Sequence, residues 1–323
     1  MIGETITPRA AAINTSRKVI LHMRSFTIMA DTSCDLPLEY MERHEIATIP
    51  IPFHIDGVQH GGGRWQEISD KEFYGALGKG SVAGTALINP ESFEQVFAEY
   101  AGCGEKLLVI TLSSGLSGTY QNSVIALDEI KGKYPDCGIF SVDSINAAGG
   151  VGLLTMLAIN KRDEGATLEE TAEWLSGVRH SCISLFTVDD LMYLHRGGRL
   201  SKVSAIAGSI IGIKPLLNVA PDGTLKLKDK VRGRNAALDR LVAQMKRSLN
   251  AGAKPGAVVI SHSDCVGDAE KLAAKIRQEI GAGEIVIEMM GPVIGAHVGP
   301  GTVALFFKGD MTRTEYESKF YSK

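Results

Sequence analysis

Apolar and polar positions along the chain alternate between two spacings. Compact apolar runs at Phe26–Ala30, Leu107–Ile110 and Gly138–Val142 read as buried strands. Each is followed by a polar or glycine-rich turn and then by apolar residues at helical spacing. Gln121–Lys131 carries Val124, Ile125, Leu127 and Ile130, and Ala147–Lys161 is a long helix rich in small residues. Strand–loop–helix units repeated in this way predict a parallel α/β sheet, whose ligands bind outside the carboxyl ends of the strands. The same pattern predicts helices over Leu38–His44, Asp70–Leu77 and Glu91–Tyr100, the last stopped by Gly102. Ala47–Ile55 is an apolar run closed by the hairpin signal Asp56-Gly57, Gly61-Gly62-Gly63 reads as flexible, and Ser81–Pro90 reads as a loop.

The character changes after about Gly165. A helix over Thr167–Val178 and a strand over Cys182–Val188 are followed by Pro221-Asp222-Gly223, a turn joining Leu216–Ala220 to Thr224–Lys230. Arg234–Leu249 places Leu238, Leu241, Val242, Met245 and Leu249 on one helical face. Strands at Gly256–His262, Glu284–Met289 and Val303–Phe307 and a helix at Ala269–Ile280 complete the chain. Hairpins mixed with helices predict a two-layer α+β second domain. The expected division is a disordered extension over residues 1–24, with Met23 as an alternative start, then domains over 25–163 and 164–323.

Composition narrows the function classes. The 323 residues are 44% hydrophobic and 22% charged with a net charge of −3, an ordinary globular balance without the basic excess of a nucleic-acid binder. Five scattered cysteines form no C-x-x-C pair, so neither a disulfide framework nor a zinc site is indicated and a reduced, cytoplasmic setting is expected. No apolar run reaches the roughly 20 residues of a membrane span; the nearest, Ala205–Ile213, is interrupted by Gly208 and Gly212.

The most informative stretch is Thr111–Tyr120, reading TLSSGLSGTY, between a strand and a helix. Free N–H groups, the positive end of the helix dipole and several hydroxyls suit an anion, although serine and threonine also cap helices with no ligand present. Arg196-Gly197-Gly198-Arg199-Leu200-Ser201 reads equally as a helix stop with solvated arginines or as a pair of guanidiniums that meet a carboxylate or phosphate. Val203–Leu217 reads as a buried helix or the lining of a narrow apolar tunnel. Gly295–Thr302, with one imidazole among glycines and a proline, reads as a rigid loop of structural or functional use. No phosphate-loop motif, G-x-S-x-G elbow or H-E-x-x-H pair occurs, and the run His262-Ser263-Asp264 is no triad by adjacency alone.

Taken in order, Asp31-Thr32-Ser33-Cys34-Asp35-Leu36-Pro37, Ser113–Tyr120, Val142-Asp143-Ser144, Arg196–Ser201 and His297-Val298-Gly299-Pro300-Gly301 resemble the motifs of the DegV family of bacterial lipid-binding proteins, from about Phe26 to Gly309. The resemblance implies a Rossmann-like parallel α/β/α domain, a second domain with a mixed sheet, and one fatty acid held between them. It implies a non-catalytic carrier that needs no cofactor or metal and presents a C16–C18 fatty acid to a separate kinase, which makes an acyl phosphate for phospholipid synthesis. The carboxylate is then expected at Thr85, Ser113 or Ser114, and His297, with Arg199 nearby. Ser117, Gly118, Asp143, Ser144, Gly299 and Gly301 are expected in supporting loops. Arg232, within the basic stretch Lys228–Arg234, is the candidate kinase contact, weighed against a solvated charge run. The family's usual Thr-Ser-Gln-Pro is replaced by Thr85-Ala86-Leu87-Ile88-Asn89-Pro90, which removes one hydroxyl. Two rival readings remain: a lipid or small-anion sensor without a kinase, and a serine hydrolase using Ser114 or Ser117 with His297.

Overall fold

The computed structural model describes residues 25–61, 68–200 and 212–321. The expectations for residues 1–24, for Gly62-Gly63 and for Ser201 and Val203–Ile211 lie outside them. In chain order the elements are β1 (Thr27–Asp31), α1 (Leu38–Arg43), β2 (Ala47–Ile49), β3 (Phe53–Ile55), β4 (Val58–His60), α2 (Asp70–Gly78), β5 (Ala83–Thr85), α3 (Pro90–Gly102), β6 (Leu107–Thr111), α4 (Thr119–Lys133), β7 (Ile139–Asp143), α5 (Gly149–Asp163) and α6 (Leu168–Val178). There follow β8 (Cys182–Thr187), α7 (Met192–Arg196), β9 (Ile213–Val219), β10 (Leu225–Arg232), α8 (Arg234–Arg247), β11 (Ala257–His262), α9 (Val266–Glu279), β12 (Glu284–Met289), α10 (Pro292–Val298), β13 (Val303–Lys308) and α11 (Arg313–Tyr321).

Local chemistry explains several boundaries. Ser69 and Thr167 start α2 and α6 with reciprocal capping boxes to Glu72 and Glu170, while Asn89 caps α3 ahead of Pro90. Asp56-Gly57 turns β3 into β4, and Pro221-Asp222-Gly223 turns β9 into β10, both antiparallel as the turn residues predict.

Strands β2-β1-β6-β7 form an all-parallel sheet, and β10-β9-β8-β13-β11-β12 form a mixed one, so the α/β class with a separate mixed sheet stands. Helices α8 and α9 pack on one face of the mixed sheet. Its other face meets α5, which also packs on β1 and β6 of the parallel sheet. That double contact explains why α5 is buried almost all round and carries small residues where a surface helix carries a polar stripe. Helix α6 packs back on β7, β6 and α5.

Three expectations are corrected. Ser81–Pro90 contains a strand, β5, which joins β3 and β4 in a third, antiparallel sheet; three-residue strands are too short to show alternation. Gly295–Thr302 begins inside a helix, α10, with Pro292 in its first turn; wholly buried small residues hid the helical period. Ile213–Leu217 belongs to strand β9 rather than to a continuous helix from Val203.

Candidate functional site

The carboxyl ends of β1, β6 and β7 bring three of the motif loops together, through the registers Met29↔Val109 and Thr111↔Asp143. Asp31 ends β1 fully buried. Its Oδ1 accepts the Ser33 N–H at 3.0 Å and its Oδ2 accepts the Leu112 N–H at 2.6 Å, tying the loop after β6 to β1. Burial outweighs these bonds and pushes the Asp31 carboxyl up to about 6. Thr32 Oγ1 accepts the Ile51 N–H at 2.9 Å, and Asp35 Oδ1 accepts the Gly291 N–H at 3.0 Å at the start of α10. The Asp31–Pro37 motif is therefore a bracket that gathers Ile51, Leu112 and α10, three walls of one cavity.

That cavity lies between the two sheets and is narrow, leaving about 80 Å³ of room inside for water-sized contents. The parallel-sheet side supplies Ile51, Leu112, Leu116, Ala147 and Ala148. The mixed sheet supplies Phe186, Val219, Leu225, Ala304 and Phe306, and α10 supplies Val293, Ile294 and Val298. Polar side chains on the lining are few: Thr85, Ser117, Arg199, His297 and Thr302. Ala148, just ahead of α5, has a φ of 56°, and Ile145 one of 45°, so the bend that forms this wall is strained.

Thr85 Oγ1 and His297 Nε2 lie 2.8 Å apart, joining the end of β5 to the last turn of α10. His297 Nδ1 is buried and has no hydrogen-bond partner among the described residues. It faces Gly197, where a Cβ would come within 2.3 Å of it, so only glycine admits the imidazole. Burial, reinforced by the Arg199 charge, pushes the imidazole down to about 4 and keeps it neutral near pH 7. Arg199 donates from Nε to the Leu116 carbonyl at 3.1 Å and from Nη1 to the Gly197 carbonyl at 2.6 Å. Both bonds go to backbone, so its charge is uncompensated by any carboxylate among the described residues.

The remaining predicted residues divide by position. Ser117 lines the cavity; its Oγ accepts the Thr119 N–H at 3.2 Å and lies 2.9 Å from Thr119 Oγ1. Gly118 precedes α4 and offers no side-chain cap. Ser113 is fully buried with its hydroxyl spent, donating to the Gly223 carbonyl at 2.9 Å and accepting the Gly115 N–H at 3.1 Å. Ser114 is exposed and is not among the cavity-lining residues; its N–H donates to Asp143 Oδ1 at 3.1 Å. Asp143 also accepts the Ile145 N–H at 2.8 Å, and Ser144 Oγ donates to the Asn146 carbonyl at 3.1 Å, so this motif shapes the strained bend. Gly299 ends α10 and Gly301 lies in the next loop, their backbones against Tyr193 and Asp189. Arg232 is exposed at the end of β10 and lines no part of the cavity. Thr302, the last residue of the Gly295–Thr302 segment but not itself among the expected site residues, also lines the cavity; its hydroxyl is engaged with the Val298 carbonyl at 3.2 Å.

A family model described as "Uncharacterised protein, DegV family" matches residues 25–310. The chain belongs to the DegV family. A DegV domain-containing protein of Streptococcus pyogenes is 39% identical over 289 residues, spanning 90% of this chain and all of the relative. A Thermotoga maritima protein, whose structure is described as revealing fatty acid binding function, is 28% identical with a TM-score of 0.77, over 88% of this chain and 99% of that one. The fatty acid kinase B3 protein of Streptococcus pneumoniae, loaded with linoleic acid, shares the fold at 20% identity and a TM-score of 0.75, over 88% of this chain and all of that one. Among the described residues no helix is long and apolar enough to cross a membrane, and no group of residues suited to a metal ion is present.

Proposed function

We propose that this DegV protein is a cytoplasmic carrier that binds a long-chain fatty acid, of the C16–C18 class, and presents its carboxylate to a separate fatty-acid kinase. The observation that carries the reading is the Thr85–His297 pair, with Arg199 beside it, on an otherwise apolar cavity. An Nε2–H tautomer of His297 donates to Thr85 Oγ1 and frees the threonine hydroxyl proton for a carboxylate oxygen. Arg199 supplies the compensating charge. The tail contributes about 0.8 kcal/mol for each methylene buried, so the apolar wall sets affinity and the polar end sets orientation.

Of the three serines Ser117 is the one assigned to the head-group end, because it lines the cavity, with its hydroxyl beside Thr119, while Ser113 is buried against Gly223 and Ser114 is exposed and off the lining. Position 86 is exposed alanine on the cavity rim, so the head group relies on Thr85 and His297 in place of a second hydroxyl. A hydrolase reading is disfavoured by the same geometry. His297 pairs with Thr85 rather than Ser114 or Ser117, no carboxylate orients its Nδ1, and its lowered pKa makes it a weak general base.

Mass spectrometry of an organic extract from protein purified out of a bacterial host tests the reading. A stoichiometric C16–C18 fatty acid is expected. An empty extract together with no binding of added palmitate or oleate overturns it.

A further inference from the structure

The Thr85–His297 pair stands on a small core of its own. Phe53 and Ile55 of β3, Phe73, Tyr74 and Leu77 of α2 and Ala296 of α10 form an apolar cluster separate from those of the two large sheets. Phe53 is the register partner of Thr85, and the Phe73 ring meets it edge to face with 6.1 Å between centroids. Helix α2 therefore backs the strand that carries Thr85. Neither Phe73 nor Tyr74 lines the cavity, or the outer chamber beside it, where Arg196 and Arg199 share the wall with Thr85 and His297.

Helix α2 also holds the helix that carries His297. The buried Tyr74 hydroxyl donates to the Met290 carbonyl at 2.9 Å, and Asp35 Oδ1 accepts the Gly291 N–H at 3.0 Å. That carbonyl and that N–H belong to one peptide unit, the one leading into α10, and they point in opposite directions from its plane's centre. The unit is thus clamped between α2 and the loop after β1. Gly295 rests on the same rings, since a Cβ there would come within 2.6 Å of Tyr74 Oη and 2.7 Å of Phe73 Cε1. His297 follows Met290 by seven residues, about 10 Å at 1.5 Å per residue. A tilt of about 6° at the clamp moves the imidazole by about 1 Å, enough to carry its 2.8 Å contact with Thr85 out of hydrogen-bond range. We propose that Tyr74 is a positioning residue of the head-group site, whose hydroxyl fixes the angle of α10 at which His297 meets Thr85. Its effect on ligand rests on the fatty-acid reading above; its effect on His297 rests on the protein's own geometry.

Tyr74→Phe keeps the ring against Gly295 and removes only the hydroxyl. Palmitate binding is measured by calorimetry on wild type, Tyr74→Phe, Thr85→Val and the double variant. Tyr316→Phe, which strips a buried tyrosine of the core beneath α8 and α9, is the control. Tyr74→Phe is expected to weaken palmitate about five-fold or more in wild type, and less than about two-fold in the Thr85→Val background, where the pair it positions is already gone. Equal losses in the two backgrounds, a loss matched by Tyr316→Phe, or no loss at all overturns the role. Nitrogen-15 resonances of the His297 ring, recorded at pH 7 without ligand, read the same role independently. The two ring nitrogens are expected well apart in wild type, as for one fixed tautomer, and drawn together in Tyr74→Phe; identical resonances in the two proteins overturn the proposal. Wild type that binds no palmitate while Tyr74→Phe still alters His297 removes the fatty-acid reading and supports the positioning role.

Discussion

His297 links the site to pH. Its imidazole is held at about 4 against an ordinary 6.5, so between those values the unfolded chain binds a proton that the folded protein refuses. Stability from this group is complete above pH 6.5 and declines as pH falls toward 4, by up to about 3 kcal/mol. Asp31 opposes it: a carboxyl raised to about 6 favours the fold as pH falls from 6 toward 3.8. Urea unfolding of wild type and His297→Asn at pH 7, 5.5 and 4.5 separates the two. The wild-type advantage over the variant is expected to shrink as pH falls, and a constant difference contradicts the assignment. The motif residues that drew attention first, Asp31, Asp35, Ser113, Asp143 and Ser144, accept or donate to backbone groups that hold loops in place. Their residue types were legible; whether each faces a ligand or a neighbouring loop was not, because a hydroxyl or carboxylate serves either use equally well.

At the scale of elements, the β9–β10 hairpin carries Val219 and Leu225 into the cavity wall and is fastened by its turn. Gly223 has a φ of +76°, and a Cβ there would lie 2.1 Å from Ser113 Oγ, the hydroxyl that donates to its own carbonyl. Gly223→Ala combines a left-handed alanine with the loss of that bond, so about 2–3 kcal/mol of destabilisation is expected by chemical denaturation. A bound fatty acid should also dissociate faster from this variant, as measured by stopped-flow displacement; an unchanged rate means that the hairpin is no part of the retaining wall. Long elements with clear amphipathic spacing, such as α8, and strong turn chemistry, such as Pro221-Asp222-Gly223, were readable from the chain. Strand β5 and helix α10 were not, and they carry Thr85 and His297. Both are short and both take their stability from tertiary contacts rather than from local pattern.

Across the whole molecule, Arg313 near the start of α11 is buried and spends its donors on backbone. It reaches the carbonyls of Cys182 at 2.7 Å and Ile145 at 2.6 Å, with longer bonds of 3.4 Å to Ala220 and Arg179. One side chain thus ties the bend after β7, the start of β8 and the hairpin turn together. Burial lowers its pKa to about 10, which leaves it charged near pH 7. Arg313→Met strands several buried carbonyls and is expected to cost about 3–5 kcal/mol. Arg313→Lys should recover little of it, because an ammonium lacks the planar fork. Thermal unfolding of both variants checks this; a loss below about 1 kcal/mol refutes the clasp. Because α5 serves both sheets, the lowered transition should remain single.

The sequence by itself determined the alternation of strands and helices, the change of character after about Gly165, the hairpin turns and an ordered set of motifs specific enough to imply the family. These are local properties, carried by spacing, caps and turn residues within a few positions of one another. Only the tertiary structure decided that Thr85 and His297 meet, that Ser113 is bonded to Gly223 while Ser117 lines the cavity, and that Arg196 and Arg199 share an outer chamber. Such contacts join residues far apart in the chain, and their geometry follows from how two sheets close on one shared helix, which no local pattern encodes.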